Sequence, residues 1–114
     1  MSENTTTTET SPEETVSGEY LASVRLYVRN NSTALDAEIK DLILAARGEL
    51  ILGGVLPARA ANENDALVKR AVTTYVRAEF GLENEDADKY RASFKAQKIA
   101  LALADSYITE AEEV

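Results

Sequence analysis

The 114 residues carry 20 acids against 12 bases, with no cysteine and no histidine. Without cysteine there are no disulfides and no thiolate metal sites, and the redox compartment is left undetermined. Without histidine the commonest general base and metal ligand are missing, which points away from an enzyme and from a cofactor or metal site, with only carboxylate or lysine chemistry left open.

A chain of this length fits one domain and buries only about two-thirds of the surface its unfolded form exposes, so subunit contacts would add useful burial. No basic start followed by an apolar run opens it, and no stretch approaches the roughly 18 apolar residues of a membrane span; a soluble, non-secreted protein is expected. The sequons at Asn4, Asn30 and Asn31 are then read as capping and turn residues. The formal charge of -8 is unevenly placed. Glu3, Glu9, Glu13 and Glu14 precede the first base and Glu110, Glu112 and Glu113 follow the last, leaving 13 acids against 12 bases between residues 18 and 109. A nearly neutral body argues against a dedicated duplex-binding surface, which needs clustered positive charge.

Residues 1–17 are Thr, Glu and Ser with almost nothing to bury, so they are expected to be disordered, folding on a partner being the alternative. Residues 18–109 form the expected helical domain and 110–114 an acidic end. A short helix is predicted over 19–28, with Tyr20, Leu21, Val24, Tyr27 and Val28 at helical spacing. Asn30-Asn31-Ser32-Thr33 supplies a turn and N-cap choices. The next helix, 34–52, puts Leu35, Ile39, Leu42, Ile43, Ala46 and Leu50 on one arc and is stopped by Gly53-Gly54. Leu44 and Ile51 lie off that arc. Residues 53–64 read as a loop with Pro57 and the capping cluster Asn62-Glu63-Asn64. A third helix, 65–80, turns Leu67, Val68, Ala71, Val72, Tyr75 and Val76 to a core and Lys69, Arg70, Thr73 and Arg77 away from it, ending at Gly81. The last helix is predicted over 85–108. It has two apolar sides: Tyr90, Phe94, Leu101 and Ile108 on one, and Ile99, Leu103 and Tyr107 with Ala92, Ala96 and Ala100 on the other. The fold class is all-α, a small bundle of about four helices.

The acids Glu83, Glu85, Asp86 and Asp88 lack the alternating ligands, central glycine and terminal glutamate of a calcium loop, and read as a solvated helix start. Gly53-Gly54 lacks the Lys-Ser or Lys-Thr of a phosphate loop. Two basic faces, Lys69-Arg70-Arg77 and Lys89-Arg91-Lys95-Lys98, are interleaved with acids and read as solvated or salt-bridged faces, or as contacts for acidic partner surfaces. Most of the five tyrosines sit at core spacing; Tyr107 is the one whose polar tip best suits a partly wet interface.

The run Leu67-Val68-Lys69-Arg70-Ala71-Val72 through Tyr75-Val76 to Phe80-Gly81, followed by Ala87-Asp88-Lys89-Tyr90 and Phe94, resembles the small helical head-to-tail connector proteins of tailed bacteriophages. The similarity extends over Tyr20 to Tyr107, with Leu35, Ile39, Leu42, Ile43 and Ala45-Ala46 as its weaker part. The resemblance implies a non-enzymatic virion protein of the neck, assembled in the host cytoplasm. It implies a ring of about twelve subunits on the portal, extending the DNA channel and presenting a platform to the next tail or neck protein. DNA would pass without specific binding, and no membrane is involved. The candidate interface residues are Leu44, Ile51, Ile99, Leu103 and Tyr107, with Lys69, Arg70 and Arg77 for acidic protein surfaces. The alternative is a small acidic helical regulator or adaptor that binds one protein partner.

Overall fold

The computed structural model describes residues 15–30, 32–81 and 85–110. Six helices follow one another, with no strand among the described residues: α1 (Gly18–Tyr27), α2 (Asp36–Leu52), α3 (Pro57–Ala60), α4 (Ala66–Glu79), α5 (Ala87–Ala102) and α6 (Asp105–Ile108). The all-α class is as expected. Two of the six are single turns, so the architecture is four longer helices with two short ones rather than a plain bundle of four. The expected disorder of residues 1–14 and the acidic end 111–114 lie outside the described residues.

Local chemistry sets the boundaries. Ser17 caps α1, its side chain accepting from the Tyr20 amide at 3.1 Å, which satisfies one of the donors that a helix start leaves open. Arg25 holds both oxygens of Asp36 at 2.9 Å, pinning the end of α1 to the start of α2. At the far end of α2, the Gly54 amide donates to the Ile51 carbonyl and the Val55 amide reaches back to that of Leu50, both at 3.0 Å. This double closure needs a left-handed residue, and Gly54 supplies it with φ 118°. Val55 and Leu50 are both buried beneath the turn.

α4 is the central helix, packed on α2, α5 and α1. It buries Val68, Ala71, Val72, Thr73, Val76 and Ala78, and Val68, Ala71, Val72 and Val76 share one core cluster with Ile39, Ile43, Ala46 and Leu50 of α2. Each valine, isoleucine or leucine among them, fully buried, contributes about 1.5 to 3 kcal/mol. Tyr75 meets Phe94 of α5 edge to face, with ring centroids 5.1 Å apart.

Several expectations are corrected. Leu35 falls just before α2 and is exposed, and Leu67, in the first turn of α4, is also exposed. Tyr27, at the end of α1, lies half in solvent, whereas Thr73 is buried and its hydroxyl donates to the Arg70 carbonyl. Helical periodicity gives the arc of a residue, and a first or last turn often projects beyond the neighbour that would cover it. The stretch read as a loop contains α3, begun by Pro57 at a position where its fixed φ and missing amide cost nothing. The last helix is interrupted at Leu103-Ala104, where Ala104 turns extended, ψ 121°. No proline or glycine marks the break. The chain leaves the helix there so that the Tyr107 carbonyl accepts the Leu56 amide at 2.8 Å and the Tyr107 hydroxyl donates to Asp65 at 2.8 Å.

The core also holds a charge. Arg47, only 1% exposed, lies on the buried face of α2. Its Nη1 donates to the Thr15 carbonyl at 2.7 Å, its Nη2 meets Glu63 Oε2 at 3.4 Å, and its guanidinium stands over the Tyr20 ring. Glu63 in turn accepts the Ser17 amide at 2.8 Å. Residues 15–17 thus belong to the packed body, Val16 lying against the core. Partial burial would raise the Glu63 pKa, but the hydrogen bonds from Ser17 and the charge of Arg47 outweigh it and hold the carboxyl below its ordinary value.

Replacing Arg47 by alanine removes a large buried side chain and separates three segments at once. A loss of about 2 to 4 kcal/mol is expected, measured by urea denaturation. Burial pushes the Tyr20 phenol up to about 12. With a raised folded pKa, the stabilisation is complete below the unfolded value of about 10 and is lost as pH climbs through the folded one. Roughly 2 to 3 kcal/mol should disappear over that window. Tyr20→Phe should lack this alkaline loss, whereas a wild-type stability that stays flat there would contradict the assignment.

Candidate assembly surfaces

Two surfaces gather most of the residues singled out from the sequence. The first is the outer side of α5. Ile99 is 48% and Leu103 76% exposed, four residues apart and therefore on one face, with Ala92, Ala96 and Ala100 exposed along the same side of the helix. α5 lies on the terminus of α2: a Cβ built on Gly53 would stand 3.1 Å from Lys98 Cγ, and one on Gly54 would stand 3.9 Å from Ala102 Cβ. Leu52, 84% exposed, immediately precedes this junction. It was absent from the residues expected at an interface, although its position just before a double glycine at a helix end was a usable signal, since a helix terminus that stops on glycines has few neighbours to cover its last side chain.

The other apolar candidates divide. Leu44 is half-buried. Ile51 and Tyr107 are partly buried and pack against the core. Tyr107 is further committed by its bond to Asp65, whose other oxygen accepts the Leu67 and Val68 amides at 2.9 and 3.0 Å as the cap of α4. That bond and partial burial raise the Tyr107 pKa. Ile51 and Tyr107 thus support the fold itself, and Ile99 and Leu103 are the ones that stand clear.

The second surface lies where α1, α4 and α5 meet. Lys69 Nζ is 5.5 Å from the Tyr20 ring centre and 5.8 Å from that of Tyr27. Arg77 stands between Tyr27 and Tyr90, at 5.6 and 5.7 Å, and its Nε donates to the Tyr27 carbonyl at 3.1 Å. Aromatic rings and cations alternate from Tyr20 through Lys69, Tyr27 and Arg77 to Tyr90. Each such contact contributes on the order of 0.5 to 1 kcal/mol at an exposed site. Arg70 is exposed beside this ladder and Arg29 is held at its edge with φ 60°. The second basic face is largely paired: Arg91 bridges Glu79 and Asp88, Lys89 faces Asp86 at 3.9 Å, and Lys98 faces Glu49 at 3.5 Å. Of the acids considered as a metal loop, Glu83 lies outside the described residues, and among those residues no group of three metal-ligating side chains occurs. Among the described residues no helix is long and apolar enough to cross a membrane either.

An exposed apolar strip and a basic aromatic groove on a small helical module are surfaces suited to contacts with other proteins. The family model for phage connector protein matches residues 21–107, and the chain belongs to that family. It is a structural family of the phage neck, not a family of enzymes. No curated protein and no solved structure matches the chain.

The division of the apolar candidates predicts contrasting stabilities. Leu103→Glu, at an exposed helix end, should change the unfolding free energy by less than about 0.5 kcal/mol. Ile51→Lys should cost more than about 1 kcal/mol, because a charge is placed against the core. Equal effects in thermal denaturation would mean that the two side chains share one environment.

Proposed function

We propose that this connector protein is a ring-forming adaptor that docks on the portal, extends the DNA channel and offers a platform to the next neck or tail component. The observation that carries this reading is the exposed strip of Ile99 and Leu103 on a chain whose family is that of phage connectors. A subunit of a closed ring presents two different faces, one to each neighbour. In this reading the outer side of α5, with Leu52 beside the α2 junction, forms one of them. Lys69, Arg70 and Arg77 serve protein contacts, and duplex DNA passes without sequence-specific binding, in keeping with a body of nearly balanced charge.

Desolvating Ile99, Leu103 and Leu52 favours association, whereas a charge buried among them opposes it strongly. Purified wild-type protein mixed with isolated portal should therefore give a ring-on-ring complex visible by negative staining. Leu103→Glu should remain a folded monomer by light scattering and leave the portal bare. If Leu103→Glu assembles on portal as the wild type does, the α5 strip is not the contact. A wild-type protein that binds a single partner molecule and never a portal ring would instead support a one-partner regulator.

A further inference from the structure

A closed ring needs a second face on each subunit, one that receives the outer side of α5 from its neighbour. The outer side of α2 has the features of such a receiver. Gly48 stands in the interior of α2, where glycine weakens a helix relative to alanine. Its φ is not positive, and a Cβ added to it would meet nothing within 4 Å. The fold of the single chain therefore gives no reason for a glycine there, whereas bare helix backbone suits the close approach of another helix. On the same face Ala45 is exposed, followed toward the start of α2 by the exposed acids Asp41 and Glu38. Neither acid has an ion pair among the described residues.

The faces of α2 and α5 share one spacing. Glu38, Asp41, Ala45 and Gly48 follow at intervals of three, four and three, and so do Lys89, Ala92, Ala96 and Ile99. Such a series keeps two seams in contact when the helices lie side by side at a shallow angle. Laid parallel, Glu38 falls opposite Lys89, Asp41 lies within a turn of Lys95, and Ile99 enters the space above Gly48. Laid antiparallel, the acids would meet Ile99 and lose their cations. The subunit itself selects the parallel arrangement. α4 packs against both α2 and α5, and the C-terminal ends of those two come together, with Lys98 reaching Glu49 at 3.5 Å and standing against Gly53. They run in the same sense, so a copy turned by the small step of a ring presents its α5 to α2 in that sense too. Lys95 is exposed and has no ion pair among the described residues, which leaves it available to Asp41. Lys40 adjoins Asp41 in sequence but lies about 100° round the helix from it.

We propose that the outer side of α2 receives the outer side of α5 from the next copy of this chain, the two helices parallel, with the neighbour's Ile99 seated over Gly48 and the neighbour's Lys95 facing Asp41. The pairing rests on the ring-forming adaptor proposed above and adds to it the identity of the second face. It also gives a role to the separation of charge within a body that is nearly neutral as a whole. Acids on α2 and bases on α5 attract across the contact, while two α2 faces or two α5 faces repel, so the subunits join head to tail.

The test scores ring formation on isolated portal by negative staining, and its concentration dependence by light scattering, beginning with the wild type. Gly48→Leu should raise the thermal midpoint, because leucine is the better helix former and the position is open in the single chain, and yet it should give no rings. Asp41→Lys and Lys95→Glu, both exposed, should leave the midpoint unchanged. Each should raise the concentration needed to half-fill the portal about tenfold, since repulsion replaces attraction at every contact around the ring. Carried together in one chain, the two reversals should restore the wild-type concentration, which a merely local role of either residue would not produce. Rings formed by Gly48→Leu, or a double reversal no better than the single ones, would overturn the pairing while wild-type rings leave the adaptor reading standing. A wild type that forms no rings would overturn both.

Discussion

A guanidinium inside an apolar core requires the chain around it to come to terms with it. Arg47 sits between Ile43, Ala46 and Leu50 on the buried face of α2, and a bare charge there would cost several kcal/mol. The cost is met by drawing in groups distant in sequence: the Thr15 carbonyl, the Glu63 carboxylate and the face of Tyr20. Each of these fixes a further element. Thr15 brings in Val16 and Ser17, Ser17 caps α1, and Glu63 lies two residues before Asp65, the cap of α4. One buried cation thereby coordinates the starts of two helices that a purely apolar α2 could leave to slide.

The rest of the scaffold follows the same economy of few residues with several partners. Asp65 caps α4 with one oxygen and receives Tyr107 with the other. Glu63 serves both Arg47 and Ser17. Arg77 joins three elements by standing between Tyr27 of α1 and Tyr90 of α5. A domain of this size has limited apolar area to bury, and shared polar anchors make up for some of what a larger core would supply. α5 is tied down through Arg91 to Glu79 and Lys98 to Glu49, while Ile99 and Leu103 stay in solvent.

The legible parts of the fold were those set by neighbours in sequence. The 3.6-residue period placed Ile39, Ile43, Ala46, Leu50, Val68, Ala71, Val72 and Val76 in the core, where all are buried, and the glycines marked the ends of α2 and α4. Ile99 and Leu103 were legible as surplus apolar residues for the same reason. What stayed hidden was decided at long range. Nothing in the local pattern distinguishes Arg47 from a solvated arginine, because its partners lie 32 and 16 positions away. The break between α5 and α6 depends on Leu56 and Asp65, and Ile51 and Tyr107 looked free only because the segments that meet them are remote. Leu35 and Leu67 fell on the expected arcs but in first turns, where coverage depends on the path of the preceding chain.

The pairing of Ser17 with Glu63 and of Tyr107 with Asp65 has a topological meaning. The segment before α1 and the one that carries α6 are fastened two residues apart, at Glu63 and Asp65, so this part of the polypeptide path is nearly a closed circuit. Joining those two parts through a short bridge and reopening the circuit elsewhere, for instance at the polar turn between α1 and α2, would preserve every helix contact while moving the free ends to a different side of the molecule. Anything attached to the protein can in this way be relocated without touching the α5 strip.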